Sequence, residues 1–486
     1  MNTLTVLQSG IKANLEIENL LEVFVVRSKI YFAADETEFE TRVQNGSFAL
    51  KLNQSAEVVT IELFDNKVLD KRTLFVLDYD SKSLKIIIKK NLYEMLIPYF
   101  KPMSKWGTLV GIRPVKIVHE LLDEGMSLPD IRLRLQTLYY IEPQKVDLMI
   151  EIALKERPYL VPNDPSAISL YLCIPFCPTR CLYCSFPSND LKQKGKLLPE
   201  YLDKLAQETI FAINHIKQLG KRIDCIYIGG GTPTSIDENQ LETLLKTIKN
   251  HVDLSAVKEY TVEAGRPDTI TQKKLEIMKA GGVDRICINP QSMNAQTLIT
   301  IGRSHDPKAI RDVMKMAKEI GFKSINMDVI LGLPGETVID SSQTIKELVE
   351  MSPENITIHT LAVKRASRLN EDLDHYELAH DAIVEEMLEQ AEQALRQNGL
   401  SPYYMYRQKK MIGHLENVGY SITGRESLYN MRIMEEKHTI MACGAGAVSK
   451  LCEPEENRFE RVANFKGLED YLSRFDEILE KKTLLK

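Results

Sequence analysis

The pattern of apolar and polar positions is most regular between about residue 165 and residue 370. Short apolar runs rich in β-branched residues are separated by longer stretches with helical periodicity, a pattern typical of buried parallel strands joined by crossover helices. It predicts an α/β fold, a partial (β/α)6 barrel. The predicted strands are Ile168–Cys173, Ile223–Ile228, Glu259–Glu263, Asp284–Asn289, Ser324–Ile330 and Asn355–Leu361. The predicted helices are Pro199–Leu219, Glu238–Asn250, Thr271–Ala280, Pro307–Ile320 and Ser341–Met351.

The flanking regions have different patterns. Residues 1 to about 95 predict short strands with polar turns, and residues 90–159 predict helices. The proline-rich stretch from Arg157 to Pro165 predicts a linker, and an amphipathic helix at Tyr376–Gln397 opens the last region. We therefore expect an N-terminal α+β accessory domain (1–160), a barrel (165–370) and a smaller C-terminal α+β region (371–486). The predicted N-terminal strands are Glu22–Val26, Phe48–Leu52, Val58–Leu63 and Leu84–Ile88, with a hairpin-type turn at Asn45-Gly46.

Composition narrows the functional classes. The chain has 486 residues and a net charge of −6, which argues against nucleic acid as the main partner. Of its eight cysteines, four lie between Cys173 and Cys184, which suits a metal site in a reducing cytoplasm better than a disulfide framework. We expect no signal peptide and no membrane span.

The spacing of three of these cysteines predicts a metal centre. Cys177, Cys181 and Cys184 form a C-x3-C-x2-C pattern after the first predicted barrel strand. Three thiolates can hold a [4Fe–4S] cluster and leave one iron open to a non-protein ligand. S-adenosylmethionine, whose amino and carboxylate groups can chelate that iron, fits the open position, and the spacing resembles that of the radical SAM superfamily. The alternatives are a zinc site that lacks one ligand and three unrelated reduced thiols.

Unusual residues follow every predicted barrel strand, near the carboxyl ends where barrel enzymes place their chemistry. Glycines after the second strand allow the backbone to approach a ligand closely, although a tight turn is the alternative. Glu263, Gln291 and Asp328 are candidates for bonding hydroxyl or amino groups, and Arg303 is a candidate for holding a carboxylate. A buried ion pair of Arg303 with Glu263 or Asp328 is the structural alternative. The strand-end residues are Gly229–Pro233, Glu263, Pro290–Ser292, Asp328, Lys364 and Arg365.

These strings together resemble the oxygen-independent coproporphyrinogen III oxidase family of radical SAM proteins. The matching strings span roughly residues 165–450, and Gly111-Ile-Arg-Pro114 resembles the HemZ-type branch. The strings are Tyr171-x3-Pro-Phe-Cys-x3-Cys-x2-Cys, Gly-Gly-Gly-Thr-Pro-Thr, Asn289-Pro-Gln-Ser, Ile-Gly-Arg-x-His, Asn326-Met-Asp-Val-Ile-Leu-Gly-Leu-Pro-Gly and Gly444-Ala-Gly-Ala-Val-Ser. The resemblance implies catalytic roles for Tyr171, Cys177, Cys181 and Cys184, with the three cysteines as cluster ligands. It implies S-adenosylmethionine contacts at Tyr171, Tyr183, Gly230, Gly231, Thr232, Glu263, Gln291, Arg303, Asp328 and Ala362.

The chain departs from the family pattern in two places, and it also lacks the motif of the haem-chaperone branch. Decarboxylating members carry a further cysteine two residues after the third cluster ligand, where this chain has Phe186. The usual histidine of the first motif is Cys173 here. The haem-chaperone branch carries a His-Asn-x2-Tyr-Trp motif, and the nearest string, Glu416-Asn417-Val-Gly-Tyr420-Ser421, lacks its histidine and tryptophan.

The resemblance implies an enzyme that oxidatively decarboxylates coproporphyrinogen III propionates to vinyl groups and gives protoporphyrinogen IX. The alternatives are a haem-binding chaperone of the same family and another radical SAM enzyme that modifies tetrapyrroles. A low-potential electron donor and an electron acceptor are implied as partners. Cationic anchors for a tetra-anionic substrate are expected at Lys364, Arg365 and Arg368, and in second place at Arg407, Lys409 and Lys410; a solvated basic run is the alternative.

Overall fold

The computed structural model describes residues 3–11, 14–44, 48–111, 113–186, 188–453 and 458–485. The chain divides into two compact units, Met1–Ile150 and Glu151–Lys486. The predicted boundaries at residues 165 and 371 remain predictions. Within the described ranges, no helix has both the length and the apolar composition that crossing a membrane requires.

The first unit is a mixed sheet with helices. Its strand order is β2-β1-β3-β4-β5, with β1 parallel to β2 and β3 and the remaining pairs antiparallel. Alternate residues of β4 are buried, so one face of this sheet packs on the core. The strands are β1 Leu4–Ser9, β2 Ile30–Phe32, β3 Phe48–Gln54, β4 Val58–Asp65 and β5 Lys67–Phe75. The helices are α1 Asn14–Leu21, α2 Glu36–Gln44, α3 Ser81–Leu96, α4 Val115–Asp123, α5 Leu128–Leu138 and α6 Pro143–Leu160, which ends in the second unit.

Two predicted strands of this unit are wrong. The run Leu84–Ile88 lies inside α3, because the Asp80 side chain caps the helix and Leu84, Ile88 and Leu92 repeat every four residues on its buried face. The run Glu22–Val26 is the turn that follows α1, and its apolar residues are buried in the core of the unit. The hairpin-type turn predicted at Asn45-Gly46 lies outside the described residues.

The second unit contains the predicted barrel strands, which pair in parallel in the order β13-β12-β11-β10-β9-β6. These strands are β6 Ala167–Ile174, β9 Arg222–Gly230, β10 Glu259–Gly265, β11 Arg285–Gln291, β12 Ser324–Leu331 and β13 Asn355–Thr360, and the short pair β7 Phe176–Cys177 and β8 Asn189–Asp190 follows β6. The intervening helices are α7 Leu191–Lys194, α8 Leu198–Gln218, α9 Glu238–His251, α10 Gln272–Ala280, α11 Ala295–Thr300, α12 Pro307–Ile320 and α13 Val338–Glu350. Capping boxes at Asp237 and Thr337 fix the starts of α9 and α13.

Strands from the last part of the chain extend the same sheet on both sides. On one side β15 is antiparallel to β13 and to β14. On the other side β16 is parallel to β6, and β17 and β18 continue antiparallel. The strands are β14 Ser401–Tyr406, β15 Asn417–Ser421, β16 Ile440–Cys443, β17 Val448–Glu453 and β18 Arg458–Ala463. The helices are α14 Arg368–Glu371, α15 Asp381–Gln397, α16 Leu428–Glu435, α17 Leu468–Ser473 and α18 Phe475–Lys482.

Candidate active site

The three cysteines lie on the loop that leaves β6. Cys177 belongs to β7, which pairs with β8, and the Leu182 amide donates to the Ile301 carbonyl at 3.0 Å. Cys181 is buried, and Cys177 and Cys184 are half-buried. Burial raises the pKa of the Cys177 and Cys184 thiols, and the other two sulfurs add to the rise at Cys184. The loop therefore gathers three thiols that a cationic metal centre would convert to thiolates.

The glycine-rich loop after β9 packs against the cysteine loop. The Gly231 and Thr232 amides donate to the carbonyls of Ile174 and Phe176 at 2.9 and 2.8 Å. A Cβ on Gly231 would lie 2.9 Å from the Cys177 sulfur and 2.7 Å from the Phe176 oxygen, so no larger residue fits without displacement. The Thr232 hydroxyl lies 3.4 Å from the same sulfur.

Each of the six parallel strands carries one half-exposed side chain between buried neighbours. Four contacts connect five of these side chains around the barrel interior. The Tyr171 and Tyr227 rings stack with centroids 6.1 Å apart, and the Tyr227 hydroxyl donates to Glu263 at 2.7 Å. Glu263 and Asp328 interact electrostatically, and Asp328 lies 3.8 Å from a His359 nitrogen. We call this set the interior ring: Tyr171, Tyr227, Glu263, Asn289, Asp328 and His359.

Glu263 keeps some solvent exposure, but its surroundings are apolar enough for burial to dominate its pKa. Burial raises its pKa to about 7, against the opposing effect of hydrogen bonds from Tyr227 and the Gly230 amide. The nearby Asp328 charge raises it further. Glu263 is therefore poised to change its protonation near neutral pH, next to the glycine-rich loop.

Two candidate residues present buried polar atoms that the fold does not use. Arg303 donates from Nη2 to the Tyr183 hydroxyl at 2.9 Å, but its Nε and Nη1 have no hydrogen-bond partner among the described residues. Gln291 has a φ of +69°, a strained conformation for a residue with a side chain, and its Oε1 also has no partner in the described part of the chain. Buried polar atoms in native proteins are almost always hydrogen-bonded, so these atoms indicate a missing ligand.

Comparison with known proteins agrees with this geometry. Residues 171–348 match a protein-family model described as "Radical SAM superfamily". The Bacillus subtilis protein named oxygen-independent coproporphyrinogen-III oxidase-like protein HemZ is 34% identical over 479 residues, which are 96% of this chain and 94% of that protein. The chain belongs to the radical SAM superfamily. Within it, the chain belongs to the group that contains the oxygen-independent coproporphyrinogen III oxidases, HemZ and the haem chaperone HemW.

Other relatives match a smaller part of this radical SAM protein. Haem chaperone HemW of Bacillus subtilis is 37% identical over 201 residues, 40% of this chain and 51% of HemW. The Escherichia coli oxygen-independent coproporphyrinogen III oxidase is 31% identical over 216 residues, 43% of this chain and 45% of that enzyme. The structure of Escherichia coli coproporphyrinogen III oxidase HemN aligns with a TM-score of 0.52 at 24% identity, over 67% of this chain and 72% of that one. The structural likeness shows a shared fold.

The superfamily uses a [4Fe–4S] cluster and S-adenosylmethionine, and the residues present fit both. Thiolates are the ligands that iron–sulfur clusters require. The close approach of Gly231 to Cys177 leaves backbone rather than side chain beside the thiol loop. The unused nitrogens of Arg303 and the unused oxygen of Gln291 are suited to the carboxylate and hydroxyl groups of S-adenosylmethionine.

The remaining sequence candidates lie around this radical SAM site in different environments. Ala362 forms an isolated antiparallel bridge with Met411. The Lys364 ammonium lies 5.9 Å from the centre of the Phe186 ring, and partial burial lowers its pKa. Arg365 and Arg368 are exposed. Arg407, a second-rank anchor candidate, is buried and donates to the His414 carbonyl at 2.8 Å, so this guanidinium supports a turn.

Sequence reasoning missed His359 and its neighbours. His359 lies on β13, its Nδ1 is 3.1 Å from the Tyr406 hydroxyl, and its Nε2 is 3.8 Å from Asp328. Glu336 was missed as well; burial raises its pKa to about 7, and Ser292, next to Gln291, donates to it. The signal for His359 was a basic, polar residue inside the apolar run Asn355–Leu361, at the position where the other barrel strands carry their ring residues.

Proposed function

We propose that this protein is a radical SAM oxidoreductase that converts two propionate side chains of coproporphyrinogen III to vinyl groups and so forms protoporphyrinogen IX. Each propionate loses one hydrogen atom from its β-carbon, one molecule of carbon dioxide and one electron, which passes to a separate acceptor. The observation that carries the proposal is the convergence of the thiol loop, the glycine-rich loop and the unused Arg303 nitrogens at one edge of the barrel. The near-full-length similarity to a coproporphyrinogen-III oxidase-like protein supports the choice of substrate.

The proposal gives each loop one task. Cys177, Cys181 and Cys184 hold the cluster as thiolates, and the glycine-rich loop with Thr232 places backbone groups beside it. The bound cluster and S-adenosylmethionine supply the 5′-deoxyadenosyl radical that removes the hydrogen atom. The proposed S-adenosylmethionine contacts are Tyr171, Tyr183, Gly230, Gly231, Thr232, Glu263, Gln291, Arg303, Asp328 and Ala362.

The arrangement of Arg303 supports its part in this task. Its one satisfied nitrogen, bonded to Tyr183, fixes the orientation of the guanidinium, and the other two nitrogen positions stay open for a carboxylate. The same Tyr183 lies between Cys181 and Cys184 in the thiol loop. Arg303 is therefore suited to hold the methionine carboxylate close to the cluster.

Substrate carboxylates need cationic partners, and the proposed anchors are Lys364, Arg365 and Arg368. Lys364 is half-buried and feels the charge of Cys184, so it lies near the cluster loop. The triple variant with Gln at these three positions is expected to lose about tenfold or more in porphyrinogen affinity. Unchanged affinity in a folded triple variant would remove this assignment.

A haem-chaperone function is the second candidate, and one observation favours it. Phe186 stands where decarboxylating members carry an additional cysteine, and its side chain is 65% exposed. An exposed aromatic ring beside a cationic lysine could face a flat macrocycle in either function. Tight haem binding without formation of 5′-deoxyadenosine would support the chaperone.

The deciding experiment is anaerobic turnover. Cluster-loaded protein is mixed with S-adenosylmethionine, coproporphyrinogen III and a low-potential reductant, and the products are identified by mass spectrometry. We expect 5′-deoxyadenosine together with porphyrinogens that have lost one and two propionate carboxyl groups. Cys181→Ser should abolish both products, whereas Cys452→Ser on β17 should keep them. Deoxyadenosine without tetrapyrrole change would contradict the proposed substrate.

The proposed reaction also implies redox partners and a cellular location. The reaction needs a low-potential electron donor and a one-electron acceptor as partners, and the protein works without nucleic acid. The eight cysteines form no disulfide in the described part of the chain, and this observation, with the oxygen sensitivity expected of the cluster, supports a location in the reducing cytoplasm.

A further inference from the structure

His359 is a member of the interior ring whose role neither the sequence motifs nor the proposed function explains. It comes from β13, and Asp328 comes from the adjacent parallel strand β12. Both side chains are half-buried, like the other members of the interior ring. An imidazole and a carboxylate 3.8 Å apart form a pair of chemically complementary groups.

The contact with Tyr406 bears on which ring nitrogen of His359 carries the proton. The Tyr406 hydroxyl, on β14, lies 3.1 Å from Nδ1. Burial raises the pKa of Tyr406, so the phenol keeps its proton. We take this phenol as the donor and Nδ1 as the acceptor of the bond. In the neutral imidazole the other nitrogen, Nε2, then carries the hydrogen.

The Nε2 nitrogen faces Asp328 without bonding to it. The distance from Nε2 to Asp328 Oδ1 is 3.8 Å, which is beyond hydrogen-bond range. Asp328 is oriented by Asn326, whose amide donates to the same oxygen at 2.7 Å. A donor and an acceptor at this separation leave room for one oxygen about 2.8–3.0 Å from each. A hydroxyl group fits both, since it accepts from Nε2–H and donates to the carboxylate.

A path of contacts joins this pair to the proposed cofactor site. The glycine-rich loop approaches the Cys177 sulfur through Gly231 and the Glu263 carboxylate through Gly229. Glu263 in turn interacts electrostatically with Asp328. A ligand that is held at the thiol loop by one end and extends into the barrel along this path reaches Asp328 and His359 with the part next to that end. For S-adenosylmethionine, the hydroxyl-bearing part in that direction is the ribose.

We infer that His359 is a further cofactor-binding residue, whose Nε2–H together with the Asp328 carboxylate holds one ribose hydroxyl of S-adenosylmethionine. Tyr406 acts on the ligand only through His359 and is therefore a positioning residue. This inference rests on the proposed function, because it takes S-adenosylmethionine as the ligand of the barrel.

The test measures binding without turnover. Cluster-loaded protein without reductant is dialysed to equilibrium against S-adenosylmethionine and against its 2′-deoxy and 3′-deoxy analogues. In the wild-type protein one deoxy analogue should bind about tenfold more weakly than S-adenosylmethionine. His359→Phe should bind S-adenosylmethionine about tenfold more weakly and should no longer distinguish it from that analogue. His251→Phe, at the end of α9, is the matched control and should behave like the wild-type protein.

Further variants keep the inference falsifiable if His359→Phe fails to fold. His359→Gln keeps an N–H donor and should retain part of the discrimination against the deoxy analogue. Tyr406→Phe removes the hydroxyl that donates to Nδ1, so His359 is no longer held in one tautomer. This variant should bind S-adenosylmethionine about threefold more weakly and should discriminate less against the same deoxy analogue. If a folded His359 variant loses the same factor for S-adenosylmethionine and both analogues, His359 is a structural residue and the inference is wrong.

Failure of the inference and failure of the proposed function give different results. If the wild-type protein holds the cluster but binds no S-adenosylmethionine, the proposed function is wrong and the inference falls with it. If the wild-type protein binds S-adenosylmethionine and His359→Phe binds it equally well, only the inference is wrong.

Discussion

Two buried arginines at opposite ends of the barrel strands differ in how many of their guanidinium nitrogens have partners. Arg285 begins β11, where its Nη atoms donate to Asn355 and to the carbonyls of Arg425 and Glu426, and its Nε lies 3.3 Å from Glu259. Arg303 follows the other end of β11, where only Nη2 has a partner within the described ranges. Their exposed fractions are nearly the same, 5% and 9%.

This difference between the two arginines assigns stability to one end of the barrel strands and ligand binding to the other. At the amino ends of the strands, buried arginines lie beside buried carboxylates: Arg285 is 3.3 Å from Glu259, and Arg432 donates to Asp224 in two hydrogen bonds of 2.6 and 3.0 Å. At the carboxyl ends, two Arg303 nitrogens and the Gln291 side-chain oxygen have no hydrogen-bond partner in the described part of the chain, at a cost that a bound ligand would offset.

The largest expected effect is on stability at the amino ends. Arg432→Met would leave Asp224 buried without its main partner, and should lower the free energy of unfolding by about 3–5 kcal/mol. Urea unfolding followed by circular dichroism measures this. Arg311→Met, which breaks a surface pair with Glu347, should cost at most about 1 kcal/mol. Equal losses of unfolding free energy in the two variants would contradict the structural role assigned to the buried pair.

The next effect is on binding at the carboxyl ends. Arg303→Met should weaken S-adenosylmethionine binding by about a hundredfold, because two charge-assisted hydrogen bonds are lost. The free energy of unfolding of the ligand-free protein should stay the same or rise, since two unsatisfied buried donors disappear. Equilibrium dialysis and urea unfolding of the same preparation measure both quantities. A large loss of stability would mean that Arg303 is a structural residue like Arg285.

A third effect is a pH dependence that arises from Glu263. Its pKa is raised from 4.5 to about 7 in the folded protein, so the folded state holds a proton that the unfolded state has already released. The stability that comes from this proton is present below pH 4.5 and is lost as the pH rises to about 7. Glu263→Gln should lack this decline. The comparison of wild type and variant by urea unfolding across pH isolates Glu263 from Glu336, whose pKa lies in the same range.

The smallest expected effect is at the glycine-rich loop. Gly231→Ala places a methyl group against the Cys177 sulfur and the Phe176 oxygen, which should cost about 1–3 kcal/mol and reduce the iron retained per chain. Iron and sulfide assays after gel filtration under anaerobic conditions measure the retention. Gly195→Ala, whose nearest neighbour would be a leucine carbon at 3.9 Å, is the control. Normal iron content in Gly231→Ala would argue against close packing of the two loops.

The sequence predicted the barrel well because buried parallel strands leave a strong signal. The runs that became β6 and β9 to β13 contain enough β-branched residues to be recognised alone. The strand predicted at Leu84–Ile88 is wrong because a short apolar run fits a strand and a helix equally. The Asp80 cap is the feature that indicates a helix here. The strands after residue 400 were not predicted individually, since they are only four to six residues long. Two of them, β15 and β16, join the barrel sheet through partners that lie far away along the chain.

The candidate site was predictable where a motif is contiguous and not where it is spread over the fold. The cysteine spacing and the glycine-rich loop are local strings, so they could be recognised directly. His359 and Tyr406 lie 47 positions apart and contact each other only because β13 and β14 both pair with β15. No local pattern in the sequence indicates a contact between two residues that far apart.

The position of β16 beside β6 sets an order of events during synthesis. Cys177 leaves the ribosome before Ile440, the residue that pairs with Ser169; the two positions are roughly 260 residues apart, which takes roughly 13 to 50 s at ordinary translation rates. Throughout that interval the strand that leads to the thiol loop lacks one neighbour. We therefore expect the thiol loop to reach its final packing only after β16 has been synthesised and has paired with β6.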